Sequence, residues 1–331
     1  MKLVAFFHLK EVRWALPDER LDEWRRRHPG LEVVSIEDDA DLAEAVVDAD
    51  AFVGWRLPPG PFAAARRLRW IHSASAGIEE SLFPALVESD VVLTNSTGLH
   101  AICIPEHILG QMLVLARNFH EAVRLQARAE WNRFAVIAHQ GGVRELHGAH
   151  LAILGAGPIG ANLARLAAAL GMRVRVMRRD PGRSVEHAEA VVAPADLHAL
   201  LAWADFVVLA VPLTAETRGL IGAAELRAMR SSAYLINVAR GEVVDEVELV
   251  RCLRAGAIAG AALDVFNEEP LPADHPLWAL PNAVLTPHIS GYTATYFDRM
   301  LALFEDNLAR FLADQPLRNV VDKRLGYTPA A

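Results

Sequence analysis

Cysteine is scarce in this sequence, and its two cysteines have no spacing that suggests a pair. Cys103 and Cys252 both lie in apolar, helix-like stretches, and the chain has no CxxC motif. This pattern argues against a disulfide framework and against a cysteine-based metal site, so we predict no bound metal. Buried, reduced thiols are the simpler interpretation.

Long hydrophobic runs are also missing. No uninterrupted apolar stretch reaches about 18 residues, the length that suggests a membrane-spanning helix, so we expect no membrane partner. The first apolar run is soon broken by His8, Lys10 and Glu11. It is too short for a secretory signal and is typical of a first strand, which makes the cytoplasm the expected location.

Basic residues are fewer than acidic ones, 33 against 41. The formal net charge of −8 disfavours a nucleic-acid partner. Hydrophobic residues make up 53% and charged residues 22% of the chain, as in a globular protein with a large core. A length of 331 residues predicts about two domains.

Strand-like and helix-like segments alternate twice along the chain, which predicts parallel sheets with helices on both faces. The first series of strand candidates is Lys2–Leu9, Leu31–Ile36, Ala51–Trp55, Arg69–Ser73 and Val91–Asn95. The second series is Leu151–Gly155, Arg173–Met177, Asp205–Val211, Ala233–Val238, Ile258–Val265 and Val284–Thr286. The expected fold is α/β, with two doubly wound parallel-sheet domains that are Rossmann-like.

The segments between and after these series set the expected domain boundaries. Apolar residues at helical spacing predict one long helix over Pro105–Glu130, and a second helix over Thr293–Leu312 that returns to the first domain. We therefore expect a flavodoxin-like substrate domain from residues 1–100 plus 291–331. The dinucleotide-binding domain would span residues 101–290.

A glycine-rich turn follows the strand that begins at Leu151 and opens a helix. Its sequence is Gly155-Ala156-Gly157-Pro158-Ile159-Gly160. The first glycine permits a tight turn, the second lets the backbone approach a pyrophosphate, and the third lets helix and strand pack closely. The turn predicts a dinucleotide on the helix N-terminus.

The next strand ends in Arg178-Arg179-Asp180, where the choice between NAD and NADP is usually made. A guanidinium at Arg178 or Arg179 can pair with a 2′-phosphate, which favours NADP. In the alternative, both arginines are solvated and Asp180 reaches the ribose, as in an NAD enzyme.

Three later strand ends carry the groups that reduction of a 2-oxo acid requires. His288 is the candidate proton donor, and Glu269 would orient its imidazole and raise its pKa. Arg240 would grip a carboxylate with its planar fork, and Asp264 would hold the nicotinamide carboxamide. In the alternatives, Arg240 pairs with Glu242 or Asp245, Glu269 is a solvated loop acid, and Asp264 caps a helix or bonds a loop.

Taken together, these motifs resemble the D-isomer-specific 2-hydroxyacid dehydrogenase family. The stretches that carry the resemblance are Glu145–Gly148, Gly155–Gly160, Val211–Thr214 with Thr217, Asn237–Gly241, Leu263–Phe266, Glu269–Leu271 and Pro287-His288. The resemblance implies an active site in the cleft between two domains, and a homodimer formed through the cofactor domains. It makes Arg240, Glu269 and His288 the catalytic set.

The resemblance also implies further contacts. Cofactor contacts would come from Val211, Pro212, Thr217, Val238, Ala239, Arg240, Asp264, His288 and Gly291. Substrate contacts would come from Arg240, His288 and the backbone of Ser75, Ala76 and Gly77. Trp55 would either help to shape the substrate pocket or serve only in packing.

The predicted function is reversible hydride transfer between NADPH, with NAD possible, and a small 2-oxo acid or D-2-hydroxy acid. Glyoxylate and hydroxypyruvate are the favoured substrates on the resemblance. Relatives that oxidise formate carry glutamine at the position of Glu269, which argues against formate. The alternative is a dinucleotide-sensing binding protein, similar to the corepressors that resemble this family, with little turnover.

Overall fold

The computed structural model describes residues 1–7, 16–139 and 142–328. The predicted end of the first strand, at His8 and Leu9, lies outside these residues. The chain divides into two compact units. The first unit comprises Met1–Leu99 and Ala294–Ala331, and the second comprises His100–Thr293.

Among the described residues, the first unit contains one parallel sheet of five strands. The strands are β1 (Lys2–Phe6), β2 (Glu32–Ile36), β3 (Ala51–Gly54), β4 (Trp70–Ser73) and β5 (Val92–Asn95). Their order in the sheet is β2-β1-β3-β4-β5. Between them run α1 (Asp18–Arg27), α2 (Asp39–Ala45), α3 (Pro59–Ala64) and α4 (Pro84–Glu88). This strand order is that of flavodoxin-like folds.

The second unit contains, within the part of the chain described, a parallel sheet of seven strands. They are β6 (His150–Leu154), β7 (Arg173–Met177), β8 (Ala190–Val192), β9 (Phe206–Leu209), β10 (Tyr234–Asn237), β11 (Gly260–Leu263) and β12 (Ala283–Leu285). The sheet order β12-β11-β10-β9-β6-β7-β8 reverses direction between β6 and β9, as in a Rossmann fold. The predicted fold class is confirmed in both units.

The helices of the second unit flank this sheet, and short 3₁₀ turns precede some of them. They are α5 (Cys103–Ala116), α6 (Phe119–Ala127), α7 (Arg133–Ala138), α8 (Pro158–Ala169), α9 (Leu197–Trp203), α10 (Ala223–Ala228) and α11 (Glu246–Arg254). The 3₁₀ turns among the residues that the structure describes are Glu79–Ser81, Leu99–Ala101, Pro194–Asp196, Gly241–Val243 and Pro276–Ala279. Because helices cover both faces of the sheet, central strands such as β9 and β10 are buried along their whole length.

The last helix, α12 (Tyr296–Leu312), belongs to the first unit. Its apolar stripe, including Met300, Phe304 and Leu308, packs in the same core as Trp70 of β4. The rings of Trp70 and Phe304 stack with centroids 5.3 Å apart. The helical spacing of the tail therefore predicts an element that completes the first unit's core.

The long helix expected over Pro105–Glu130 is wrong as a single element. It is two helices, α5 and α6, separated at Arg117 and Asn118. Asn118 adopts a left-handed conformation with φ 52°, and its side-chain amide donates to the carbonyl of Val136 at 2.9 Å. Asparagine tolerates this conformation better than most residues, so it can end one helix and start the next.

One helical stretch in the described residues, Leu99–Ala116, is long and apolar enough to cross a membrane, with a mean hydropathy of 1.4. Its fully buried members Ile108, Met112 and Leu115 pack in the core of the second unit. A core helix satisfies the same criteria of length and composition, and these contacts account for the apolar character of α5.

Candidate active site

The carboxyl ends of the central strands of the second unit lie side by side at one sheet edge. Leu154 of β6 pairs with Leu209 of β9, and Asn237 of β10 pairs with both Leu209 and Leu263. Leu263 of β11 in turn pairs with Leu285 of β12. The segments that follow these strands therefore emerge together, and they carry the glycine-rich turn, Arg240, Asp264 and His288.

His288 and Glu269 form a short, direct contact. Nδ1 of His288 lies 2.6 Å from Oε2 of Glu269, and Oε1 of Glu269 accepts from the backbone N–H of Phe266 at 2.9 Å. Because a carboxylate only accepts, this contact places a proton on Nδ1 and turns Nε2 away from Glu269. The imidazole side chain is 50% exposed, so Nε2 remains accessible to a substrate.

The electrostatic environment keeps Glu269 ionised. Burial raises its pKa, but the hydrogen bonds from His288 and the Phe266 N–H, with the charges of His288 and Arg240, leave the pKa below its ordinary value. A carboxylate that stays charged at neutral pH holds the His288 ring in one tautomer and one orientation. This geometry is that of a proton donor with its orienting acid.

The backbone at His288 is strained and is held by Asp264. His288 has φ 51°, and its N–H donates to the Asp264 carbonyl at 2.8 Å. The buried Asp264 carboxylate accepts from Oγ1 of Thr286 at 2.5 Å and from the N–H groups of Ile289 and Ser290 at 3.0 and 2.9 Å. These loop hydrogen bonds make Asp264 a positioning residue for His288. The nicotinamide contact stays a prediction.

Sequence reasoning missed the layer behind Asp264. His107 and Gln111, one helical turn apart on α5, reach Oγ1 of Thr286 at 3.2 and 3.3 Å. Thr286 donates in turn to Asp264, so α5 helps to fix the loop that carries His288. The sequence offers no signal for this series of hydrogen bonds, because α5 lies far from Thr286 along the polypeptide.

Arg240 is brought close to the His288 and Glu269 pair by the glycine that follows it. A Cβ on Gly241 would lie 2.0 Å from the carbonyl carbon of Phe266, so only glycine permits this approach. The contact brings the Arg240 turn against the segment that leads to Glu269. Arg240 itself donates from Nη1 to the Ala239 carbonyl at 2.7 Å.

The two acids considered as alternative partners of Arg240 have local contacts of their own. Glu242 lies 3.6 Å from Arg218, and Asp245 caps α11 by accepting from the N–H of Glu248 at 3.1 Å. The positive charge of Arg240 nevertheless helps to lower the pKa of Glu269. Arg240 and His288 are thus on the same side of the second unit.

The glycine-rich turn has the shape that a dinucleotide requires. A Cβ on Gly155, where φ is 116°, would meet the Ala210 carbonyl oxygen at 2.3 Å, and one on Gly160 would meet the Gly155 carbonyl oxygen at 2.0 Å. No atom lies within 4 Å of the Cβ position of Gly157, which caps α8. With Pro158 and Ile159 in the first turn of α8, the open side of Gly157 leaves room for a pyrophosphate.

The loop after β7 is rich in arginine. Arg178, Arg179 and Arg183 lie in it, and Nη1 of Arg178 donates to the Arg183 carbonyl at 3.4 Å. The carboxylate of Asp180 accepts from the N–H of Gly182 at 3.0 Å. One oxygen of Asp180 is therefore engaged within its own turn, and the loop presents positive charge beside the Rossmann edge.

The remaining predicted cofactor residues lie at the same edge or close to it. Val211 and Pro212 follow β9, and Thr217 steadies that loop by donating to the Pro212 carbonyl at 2.7 Å. Val238 and Ala239 are buried after β10, and Gly291 lies beyond His288. Their contacts with a dinucleotide stay predictions.

In the first unit, the turn Ser75-Ala76-Gly77 follows β4 and has two available donors. The Ser75 N–H bonds Oγ of Ser73, and the Ala76 carbonyl accepts from Nδ2 of Asn95 at 2.7 Å. Among the described residues, the N–H groups of Ala76 and Gly77 find no acceptor. Two adjacent backbone donors of this kind suit an anionic ligand.

Trp55, which follows β3, makes packing contacts. Its ring stacks on Tyr296 at 6.3 Å between centroids and meets Phe297 edge-on at 5.9 Å. Its Nε1 donates to the Phe7 carbonyl at 3.0 Å. Packing accounts for this tryptophan, and a contact with substrate stays a prediction.

The chain is similar to known proteins of one family. Residues 109–290 match the family model described as "D-isomer specific 2-hydroxyacid dehydrogenase, NAD binding domain". A glyoxylate reductase from Aeropyrum pernix is 36% identical over 264 residues, which covers 79% of this chain and 78% of the relative. A D-3-phosphoglycerate dehydrogenase from Methanocaldococcus jannaschii is 34% identical over 289 residues. The chain covers only 53% of that relative, about half its length.

A solved structure shows the same likeness over nearly the whole chain. It is the NADPH-dependent glyoxylate/hydroxypyruvate reductase from Sinorhizobium meliloti in complex with NADP and sulfate, with a TM-score of 0.83 at 28% identity. The match covers 98% of this chain and 99% of that one. The fold, the glycine-rich turn and the Arg240, Glu269 and His288 edge define a dinucleotide-binding oxidoreductase. The chain belongs to the D-isomer-specific 2-hydroxyacid dehydrogenase family.

Proposed function

We propose that this protein is an NADPH-preferring reductase of small 2-oxo acids, reversible toward D-2-hydroxy acids. The observation that carries the proposal is the 2.6 Å contact between His288 and Glu269. It lies at the same sheet edge as Arg240 and the glycine-rich turn. A protein that only senses dinucleotides has no need of an oriented proton donor, so the geometry favours turnover.

The carboxylate and the carbonyl of the substrate need positive partners. Arg240 provides a planar guanidinium that can bind two oxygens side by side. In the first unit, the N–H groups of Ala76 and Gly77 supply donors suited to a carboxylate. We propose that Arg240 contacts the substrate, while the contact from Ala76 and Gly77 stays a prediction.

The carbonyl oxygen must gain a proton as the carbon is reduced. NADPH, when bound, supplies the hydride. His288 delivers the proton from Nε2, since its Nδ1 is engaged with Glu269. Glu269 stabilises the charged ring before transfer, and the Asp264 loop holds its position. In the reverse direction, the same nitrogen accepts the proton of the hydroxyl group.

NADPH is the proposed preferred cofactor because of the arginines after β7. Arg178 and Arg179 offer guanidinium groups for a 2′-phosphate, and one oxygen of Asp180 is engaged within its own turn. The reductase from Sinorhizobium meliloti, described as NADPH-dependent and in complex with NADP, supports this choice. NAD remains the alternative cofactor.

Glyoxylate and hydroxypyruvate are the proposed substrates. Support comes from the Aeropyrum pernix relative, a glyoxylate reductase, and from the glyoxylate/hydroxypyruvate reductase of Sinorhizobium meliloti. Glu269 in place of glutamine argues against formate as the substrate. The cytoplasmic location stays a prediction.

Turnover is tested by following NADPH absorbance with glyoxylate, hydroxypyruvate and other 2-oxo acids. We expect His288→Ala to abolish oxidation of NADPH while nucleotide binding survives. His198→Ala is the matched control, because His198 also contacts a carboxylate, Glu225, at 2.9 Å but is exposed on α9. If no acid oxidises NADPH in the wild type, while NADPH still binds, the dinucleotide-sensing function replaces this one.

We further propose a homodimer formed through the cofactor unit. Phe119 and Val123 of α6, Trp131, and Phe134 and Ile137 of α7 are exposed large apolar side chains, and Trp131 is 99% exposed. A patch of this kind marks an association surface. Light scattering after size exclusion should give twice the chain mass for wild type and the chain mass for Trp131→Glu with Phe134→Glu. The control, Val247→Glu on α11, should stay dimeric, and a monomeric wild type would refute the dimer.

A further inference from the structure

Glu246 is an acid that the proposed mechanism does not use. It lies in the first turn of α11, where the positive end of the helix dipole stabilises an acid even without another contact. Glu248, in the same turn, is 29% exposed and contacts Arg251 of its own helix at 2.5 Å. Glu246 differs, because its side chain is only 14% exposed and contacts the loop 267–275. This loop carries Glu269 and is named the Glu269 loop.

Both carboxylate oxygens of Glu246 are engaged, one at each end of the Glu269 loop. Oε2 accepts from the N–H of Asn267 at 3.3 Å, and Oε1 lies 3.3 Å from Nε2 of His275. Nδ1 of His275 accepts from the N–H of Leu277 at 3.4 Å, so the proton of a neutral ring is on Nε2, which faces Glu246. One carboxylate therefore connects the beginning of the loop with its end.

The beginning of the Glu269 loop is the part that fixes the catalytic carboxylate. Phe266 donates its N–H to Oε1 of Glu269 at 2.9 Å, and Oε2 of Glu269 lies 2.6 Å from Nδ1 of His288. The peptide between Phe266 and Asn267 also packs on Gly241, where a Cβ would lie 2.0 Å from the Phe266 carbonyl carbon. A shift of this peptide would therefore move Glu269 relative to His288.

From these contacts we propose that Glu246 is a positioning residue for proton transfer. By accepting from the N–H of Asn267, it fixes the peptide that holds Glu269 within hydrogen-bond distance of His288. It acts through Glu269 and not on the substrate. A displacement of about 1 Å at a reacting group can lower a rate by about a hundredfold, so a modest loosening of this peptide is measurable. The inference rests on the proposed function and adds a residue to it.

Two substitutions of Glu246 remove its contacts in steps. Glutamine keeps the shape but has one acceptor oxygen, so it sets an amide donor against a second donor at one end of the loop, whereas alanine removes both contacts. With NADPH and glyoxylate or hydroxypyruvate, we expect kcat to fall by about threefold in Glu246→Gln and about tenfold in Glu246→Ala. The KM values should stay within about twofold, because proton transfer is perturbed and binding is not.

A double-mutant cycle separates positioning from a role in stability alone. In a Glu269→Ala background there is no carboxylate left to position, so Glu246→Ala should change kcat by less than about twofold. A contribution to helix stability alone would lower kcat by the same factor in both backgrounds. The matched control is Glu248→Ala, which removes the other acid in the first turn of α11 and should leave kcat within about twofold of wild type.

Each outcome separates the inference from the proposed function. A wild type that oxidises NADPH with none of these acids refutes the proposed function, and the inference falls with it. A wild type that turns over, with equal losses from Glu246→Ala in the two backgrounds, overturns the inference alone. Unchanged kcat in both Glu246 variants, or a loss that lies mainly in KM, also overturns it. If Glu246→Ala does not fold, Glu246→Gln takes its place in the cycle, and the same outcomes decide.

Discussion

His72 makes the stability of the first unit depend on pH. It lies in β4 with no solvent exposure, and Nδ1 is 2.8 Å from Oγ1 of Thr94. The same hydroxyl accepts from Nε1 of Trp70 at 2.8 Å. Burial lowers the pKa of His72 from 6.5 to about 3, because the charged ring would lose its water in this core.

The magnitude follows from proton linkage. Below pH 6.5 the unfolded chain binds a proton at His72, whereas the folded chain does so only near its pKa of about 3. The contribution of His72 to the free energy of unfolding is therefore complete above pH 6.5. It falls by about 1.4 kcal/mol for each pH unit between 6.5 and 3. At pH 5 the loss from this one residue is about 2 kcal/mol relative to pH 7.5.

The measurement is the free energy of unfolding in urea at pH 7.5 and pH 5, followed by tryptophan fluorescence, for wild type and His72→Asn. Other buried histidines also destabilise at low pH, so the quantity of interest is the difference between the two proteins. Wild type should lose about 2 kcal/mol more than His72→Asn, whatever the variant costs at pH 7.5. His198→Asn, at an exposed site, should track wild type. Parallel losses in wild type and His72→Asn would refute the reasoning.

Three further predictions concern the second unit. Arg178→Asp should shift the ratio of kcat/KM values from NADPH toward NADH, because a carboxylate repels a 2′-phosphate and accepts from a ribose hydroxyl; an unaltered ratio would show that Arg178 does not contact that position. Glu269→Gln should lower kcat/KM by about a hundredfold with little change in NADPH affinity, since a neutral amide stabilises a charged imidazole less than a carboxylate does; full activity would remove Glu269 from the mechanism. Gly160→Ala should destabilise the unit by about 1–3 kcal/mol and weaken NADPH binding, because its Cβ would meet the Gly155 carbonyl oxygen at 2.0 Å. Gly110→Ala, with open space around its Cβ, is the control for thermal unfolding, and equal effects of the two substitutions would contradict the packing argument.

Periodicity predicted strands better than it predicted helix ends. Arg173–Met177 was predicted to the residue, since alternating burial on a strand is a local property. The single helix predicted over Pro105–Glu130 is wrong, because the apolar spacing continues through Asn118 whereas the helical backbone is interrupted there. At the break, Asn118 hydrogen-bonds Val136, a contact that is not local in sequence.

The sequence by itself determined the class of fold, the glycine-rich turn and the three strand-end residues, because each depends on residue type and spacing within one short segment. The tertiary structure alone decided how those residues are held. The Asp264 carboxylate accepts hydrogen bonds from the loop that carries His288. Gly241 lets the Arg240 turn pack against the segment that leads to Glu269, and Gly291 lets the His100 ring pack closely against it. These are contacts between segments far apart in the chain, and their distances arise only when parallel strands align their carboxyl ends.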